Sequence, residues 1–384
     1  MHKESRIQGI FIFVITVIFL TYDQFMRAAP QVAQHHMMHE RDLPQDIYGL
    51  MSITAVYVYI CMQIPIGILY DRLSSRIILP FAIACSSLGL FFMAWSLYSH
   101  MTAVGNILLM IGAPFAFLSM LIMAARWFPH SNFGMLSGIG QLFSTLGILV
   151  GGVPITLLVN YYFSWRVVMI VLGTVGVILV LMSLMVVQDS VSAHGMHRSS
   201  KFRYIKELKS IFTSKQLWLI GLYAFTGWGP IVVFAKHWAF PFVKERFLVS
   251  DAQAHQGLTL FWIAAGFLSP LFGYLSARWK QRVPILVFSS IIGLMGCVGF
   301  LYFPGSSFGI GVISCLAIGI AAAGQILGFA LVKDRVPKTS LGAALGFNLM
   351  LSVLGGVVCD YFVEGVLAFF SRGPTGYYSL LDYR

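Results

Sequence analysis

Gly67-Ile68-Leu69-Tyr70-Asp71-Arg72-Leu73-Ser74-Ser75-Arg76 joins two long apolar stretches, near residues 47–70 and 77–97, by a charged turn too small to be a domain. Each stretch reaches the roughly 20 residues that an α-helix needs to cross a bilayer. A ten-residue turn between two membrane helices is a mechanical link, and the rest of the chain is read outward from it.

The chain has 384 residues, of which 58% are hydrophobic and only 10% charged. No water-facing globular surface of this size tolerates that balance, so the composition implies a polytopic membrane protein in a lipid bilayer. The formal charge of +11 does not point to nucleic acid, because the basic residues are spread among short turns rather than gathered on a soluble face. Cys61, Cys85, Cys297, Cys315 and Cys359 all fall in apolar spans, odd in number and without metal or disulfide spacing, and read as small packing residues. The first apolar run lacks a small-residue cleavage site and carries Asp23 and Arg27, so it reads as a first membrane helix rather than a signal peptide.

Eleven spans follow, near residues 8–29, 47–70, 77–97, 103–127, 134–159, 165–187, 216–240, 256–276, 283–303, 307–332 and 341–369. With the N-terminus in the cytoplasm, 17 of the 25 Lys and Arg residues fall on cytoplasmic segments, which sets the orientation by the positive-inside rule. The compact loops suit a bacterial inner membrane. The longest polar stretch, residues 189–215, carries Arg198, Lys201, Arg203, Lys206 and Lys209, and reads as a cytoplasmic linker between residues 1–188 and 216–384.

The two halves repeat. Gly67 to Arg76 is echoed by Gly273 to Arg282, an offset of 206 (273 − 67). Gly134, Gly138 and Gly147 recur as Gly342, Gly346 and Gly355 at an offset of 208 (342 − 134), and Gly112 recurs as Gly319. The expected fold is all-α: two six-helix bundles in parallel tandem repeat. The second unit holds only helices 7–11. No twelfth span is read, and Ser371 to Arg384 reads as an outer loop about to enter helix 12, which implies a truncated chain or, as the alternative, a protein that lacks that helix.

Gly-x-Leu-x-Asp-Arg-x-x-x-Arg after a membrane helix resembles the signature loop of the major facilitator superfamily (MFS) of secondary transporters, and the resemblance extends from the first span through the eleventh. It implies that Asp71 docks near the start of the eleventh span, around Ser340 and Gly342, and locks the outward-open state. Gly67, Arg72, Arg76 and Arg126 of the first half, with Gly273, Arg278 and Arg282 of the second, complete the implied gate. Ala277 replaces the second aspartate, so the lock is expected on one side only. Asn106 stands where many members place an arginine, so a proton relay is not carried over to that position. The glycines of the fifth span, running to Gly151, Gly152 and Pro154, resemble a degenerate antiporter motif and are read as packing positions.

Charges within the spans point to the transport site, since each costs several kcal/mol in hydrocarbon unless paired or wet. Arg27 and Lys236, on the first helix of each half, are candidates to hold an anionic group. Asp23 lies four residues before Arg27 and either neutralises it or carries a coupling proton. Asp360 and Glu364 are further proton-coupling candidates, and Tyr22, Gln63, Gln141, Trp228, Gln325 and Asn348 are candidates to line the pocket. His35-His36-Met37-Met38-His39-Glu40 reads as a solvated outer loop, with metal capture as the alternative, and no metal site is assigned.

Gly138-Ile139-Gly140 lacks the strand context of a nucleotide-binding turn, and no nucleophile elbow or zinc motif is present, so neither an enzyme nor a cofactor is expected. The reading is a monomeric secondary transporter that takes up a small organic anion or zwitterion, coupled to protons, by alternating access. The alternative is a proton-driven exporter of drugs or siderophore-like compounds. A transporter-like sensor or a membrane enzyme is the minor alternative.

Overall fold

A computed structural model describes residues 3–40, 45–96, 98–188, 201–302 and 308–370. Among these, eleven helices are long and apolar enough to cross a membrane: α1 (Ile7–Val32), α2 (Gly49–Arg72), α3 (Ser75–Trp95), α4 (His100–Trp127), α5 (His130–Tyr162), α6 (Trp165–Val186), α7 (Lys215–Phe247), α8 (Asp251–Arg278), α9 (Val283–Tyr302), α10 (Phe308–Arg335) and α11 (Lys338–Leu367). The eleven expected spans are all present, and the chain is a multi-pass membrane protein. Of the polar stretch 189–215, residues 189–200 lie outside the described residues, and Lys201–Thr213 form a helix. Residues 371–384, expected to be an outer loop, also lie outside them.

The repeated glycines explain how the halves meet. A Cβ on Gly67 would run into the backbone of Gly342, and one on Gly273 into the backbone of Gly134. These two backbone contacts, α2 on α11 and α8 on α5, are the same crossing used twice. The next glycines behave alike: a Cβ on Gly138 would lie 2.5 Å from Pro270 Cα, and one on Gly346 would strike Gln63 O. One turn or more further on, Gly147 abuts Thr21 and Gln24 of α1, while Gly355 abuts Phe225 of α7. The offset in sequence therefore reports an exchange of partners in space, with small residues allowing helix backbones to approach closely. The ends of these crossings nearest Gly67 and Gly273 are called the hinge end below.

Three departures from simple rods follow from local sequence. α4 is broken at Ala113, where Pro114 starts a new helix, and α10 is broken at Gln325. α7 contains two π-turns, Ala224–Trp228 and Phe234–Trp238, on either side of Gly229-Pro230. The histidine-methionine stretch is not a solvated loop. Gln34–Glu40 forms a short helix in which Met37 is fully buried. Glu40 accepts hydrogen bonds from Trp165 Nε1 at 2.7 Å and Arg166 Nη2 at 2.8 Å, while His36 meets Asn160 at 3.1 Å. These contacts pin the start of α6, and no cluster of three metal-binding side chains occurs among the described residues.

Gly355→Ala places a methyl group against the backbone of Phe225, which cannot rotate away. It is expected to destabilise the protein by about 1–3 kcal/mol as overpacking. Gly49→Ala meets nothing within 4 Å and is expected to be neutral or mildly stabilising. Thermal unfolding of both variants in detergent checks the contrast, and equal midpoints would contradict it.

Candidate functional site

At the hinge end, Asp71 is 2% exposed. Its Oδ1 accepts from Gly342 N–H at 2.8 Å and its Oδ2 from Ala343 N–H at 2.9 Å. Both amides belong to the first turn of the helix Leu341–Phe370, where backbone N–H groups lack helical partners and the helix dipole favours an anion. Only glycine at 67 and 342 lets the backbones come close enough for this bond pair. Arg126, at the end of α4, fixes the turn from behind by donating to Ser75 Oγ at 2.9 Å and to Tyr70 O. Arg76 is exposed, and its N–H closes onto Ser74 Oγ at 3.2 Å to start α3. Arg72 is half-buried.

The second crossing is held differently. Ala277 offers no carboxylate, and the charge comes instead from the end of α10. Arg282 grips Asp334 with two nitrogens, Nε at 2.6 Å and Nη2 at 3.1 Å. His130, at the start of α5 in the other half, reaches Asp334 at 3.2 Å, and Lys333 Nζ lies 4.3 Å above the Phe133 ring. Arg278 is exposed and meets only Tyr274 OH at 3.3 Å among its described hydrogen bonds. The helix Lys201–Thr213 also joins this end, where Glu207 accepts from Thr339 Oγ1 at 2.6 Å.

In the second half of α1, Asp23 and Arg27 form an ion pair at 2.6 Å, with Asp23 1% exposed. Arg27 also lies 5.6 Å from the centre of the Tyr59 ring on α2, one helical turn before Gln63. Lys236 on α7 sits within electrostatic reach of both Asp23 and Arg27, and its side chain is exposed although Ala235 and Ala239 beside it are buried. The group thus combines two cations and one carboxylate at the junction of α1, α2 and α7. Asp23 Oδ1, Arg27 Nε and Gln63 Oε1 are buried without a hydrogen-bond partner, which leaves them able to bond a bound solute.

Not every sequence candidate joins this group. Tyr22 points into the first bundle, where its hydroxyl donates to Leu172 O, so it does not face Lys236. Gln141 donates to Thr145 along its own helix at 3.5 Å. Trp228 packs against the aromatic cluster of the second half. Gln325 and Asn348 are buried with both side-chain polar atoms unpartnered, and nothing places them against Arg27. Asp360 is taken up by α7: Trp238 Nε1 donates to it at 2.8 Å and His237 Nδ1 lies at 3.2 Å. Glu364 is exposed. Tyr59 escaped the sequence reading, although it lies four residues before Gln63 and so shares its helix face.

A family profile described as Major Facilitator Superfamily matches residues 13–359. An uncharacterized transporter of Bacillus subtilis, YybO, is 22% identical over 89% of this chain and 83% of its own length. A probable chloroplastic anion transporter 4 of Arabidopsis thaliana is 23% identical over 88% of this chain and 69% of its own length. Among solved structures, the E. coli fucose:proton symporter FucP superposes with a TM-score of 0.71 at 15% identity, covering 93% of each chain.

Asp71→Ala removes two hydrogen bonds to a charged group, each worth about 1.5–3 kcal/mol. Leu341→Cys, a buried position at this contact, is expected to react slowly with a thiol reagent when Asp71 is present and at least about tenfold faster in the Asp71→Ala background. Equal reaction rates would show that the carboxylate does not hold the hinge end shut.

Proposed function

The chain belongs to the Major Facilitator Superfamily, and we propose that this secondary transporter takes up a small organic anion or zwitterion together with protons. The observation that carries the reading is the group of Asp23, Arg27 and Lys236, in which one positive charge is left over. Within a membrane protein such a surplus calls for a negative partner. The similarity to a probable anion transporter supports the sign of that partner, and the fold shared with a fucose:proton symporter supports the coupling.

The ion pair supplies a coupling mechanism. While Asp23 is ionised it occupies Arg27. A proton on Asp23 releases the guanidinium, whose planar fork then suits a carboxylate of the substrate. Lys236 supplies the second cation from the other half, and Tyr59 and Gln63 orient the solute. Proton and anion thus enter together, and the charge of a monoanion offsets the charge that the proton adds to the group.

The hinge end faces the cytoplasm of a bacterial inner membrane, with the N-terminus inside, and residues 1–188 and 216–384 rock about the central group. In this arrangement Asp71 on the first turn of the eleventh helix closes the cytoplasmic side. Gly67, Arg72, Arg76 and Arg126 hold that turn, while Gly273, Arg278 and Arg282 serve the other crossing. Breaking the Asp71 contact lets the site open inward.

Proteoliposomes challenged with a panel of organic acids, amino acids and cationic dyes test the reading. Substrate-dependent proton entry is expected with an organic acid, and Arg27→Ala and Lys236→Ala are each expected to reduce it at least about tenfold, the effect of losing one charge-assisted contact. Dye movement that survives both substitutions would instead identify an exporter.

A further inference from the structure

We propose that Asp360 is a positioning residue that aims Lys236 into the anion site by holding the π-turn in which that lysine stands. The inference rests on the anion reading above and assigns a residue that acts on the site without touching its solute. It replaces the proton-coupling role expected of Asp360 from sequence.

Lys236 occupies the middle of the turn Phe234–Trp238, closed by Ala239 N–H on Phe234 O, an i→i+5 bond. A π-turn carries an extra residue relative to an α-helix, and such turns occur mainly where side chains are presented at functional sites. The turn needs an outside restraint to keep that register. Asp360 on α11 supplies it through two consecutive residues, accepting from Trp238 Nε1 at Oδ1 and meeting His237 Nδ1 at Oδ2. One turn earlier, Gly356 meets Gly229 and Val233, so α7 and α11 are already at backbone contact and the carboxylate cannot drift. With His237 and Trp238 drawn to α11, Lys236 is left exposed, within electrostatic reach of Asp23 and Arg27 of α1. If the turn relaxes, residue 236 rotates towards the face occupied by buried Ala235 and Ala239.

Acylation of the purified full-length protein in detergent by sulfosuccinimidyl acetate tests this. Lys236 is followed by peptide mass spectrometry, with Lys244, half-exposed on the same helix, as internal reference. Asp360→Ala is expected to slow Lys236 relative to Lys244 by about tenfold, since both restraining bonds are lost. Asp360→Asn is expected to keep the ratio within about twofold, because its carbonyl still accepts from Trp238 and its amide still bonds His237. An unchanged ratio in Asp360→Ala overturns the proposal, as does equal slowing in Asp360→Asn, which would assign the effect to charge. Should Asp360→Ala not fold, Trp238→Phe removes one donor and keeps the ring. Its expected slowing is about threefold, and no slowing would overturn the proposal equally. The reagent needs no substrate, so this result stands apart from uptake, which tests the anion reading.

Discussion

Two backbone amides on the first turn of one helix, both bonded to the Asp71 carboxylate of another, tie the two halves together at the hinge end of this protein. The contact is available only because Gly67 and Gly342 bring the two backbones together. Buried away from water, such a bond pair is strong, yet it is made by one side chain and is lost in one step. That combination suits a latch better than a weld. Arg126 keeps the latch in place from its own bundle, so the turn moves with α2 to α4 as a unit.

The second crossing has the same glycine geometry and no carboxylate, and its asymmetry has a physical reading. Asp334 belongs to the second half and is already gripped by Arg282 of that half, so His130 on Asp334 and Lys333 over Phe133 make the cross-half contacts there. At the first crossing, by contrast, Asp71 makes two charge-assisted hydrogen bonds across the halves. The central group is asymmetric as well: α1 contributes a paired acid and base, whereas α7 contributes a lone lysine on a π-turn. In the proposed function, binding an anion there would draw α7 towards α1, while a proton on Asp23 would weaken the hold of α1 on its own arginine. That proposed mechanism links the chemistry of the solute and the motion of the halves through the same three charges.

Much of this was written in the chain. The spacing of Gly67, Asp71 and Arg76, its echo at Gly273 to Arg282, and the glycines of α5 and α11 announced the repeat, because close backbone approach leaves few residues to choose from. Asp23 and Arg27 were legible as a pair from their spacing of four. Side-chain direction was not: Tyr22 follows Thr21 on a helix that is packed on several sides, and nothing in the sequence says that its hydroxyl turns to Leu172. Gly229-Pro230 was visible between the π-turns of α7, but the turns themselves were hidden, and the contacts of Asp360 with His237 and Trp238 join residues more than 120 apart. The helix Gln34–Glu40 was missed because its polar residues read as solvated, while its order comes from Trp165 and Arg166.

In the proposed mechanism an anion bound between the halves changes which end is shut. Pulsed electron paramagnetic resonance on spin-label pairs at both ends measures it in one sample set: Arg76 with Lys338 at the hinge end, and Tyr161 with Leu248 at the opposite end, all exposed positions. Addition of the organic acid that elicits uptake, at low pH, is predicted to lengthen the first distance and shorten the second. Distances that stay fixed, or that lengthen together, would contradict a rocking motion about Asp23, Arg27 and Lys236.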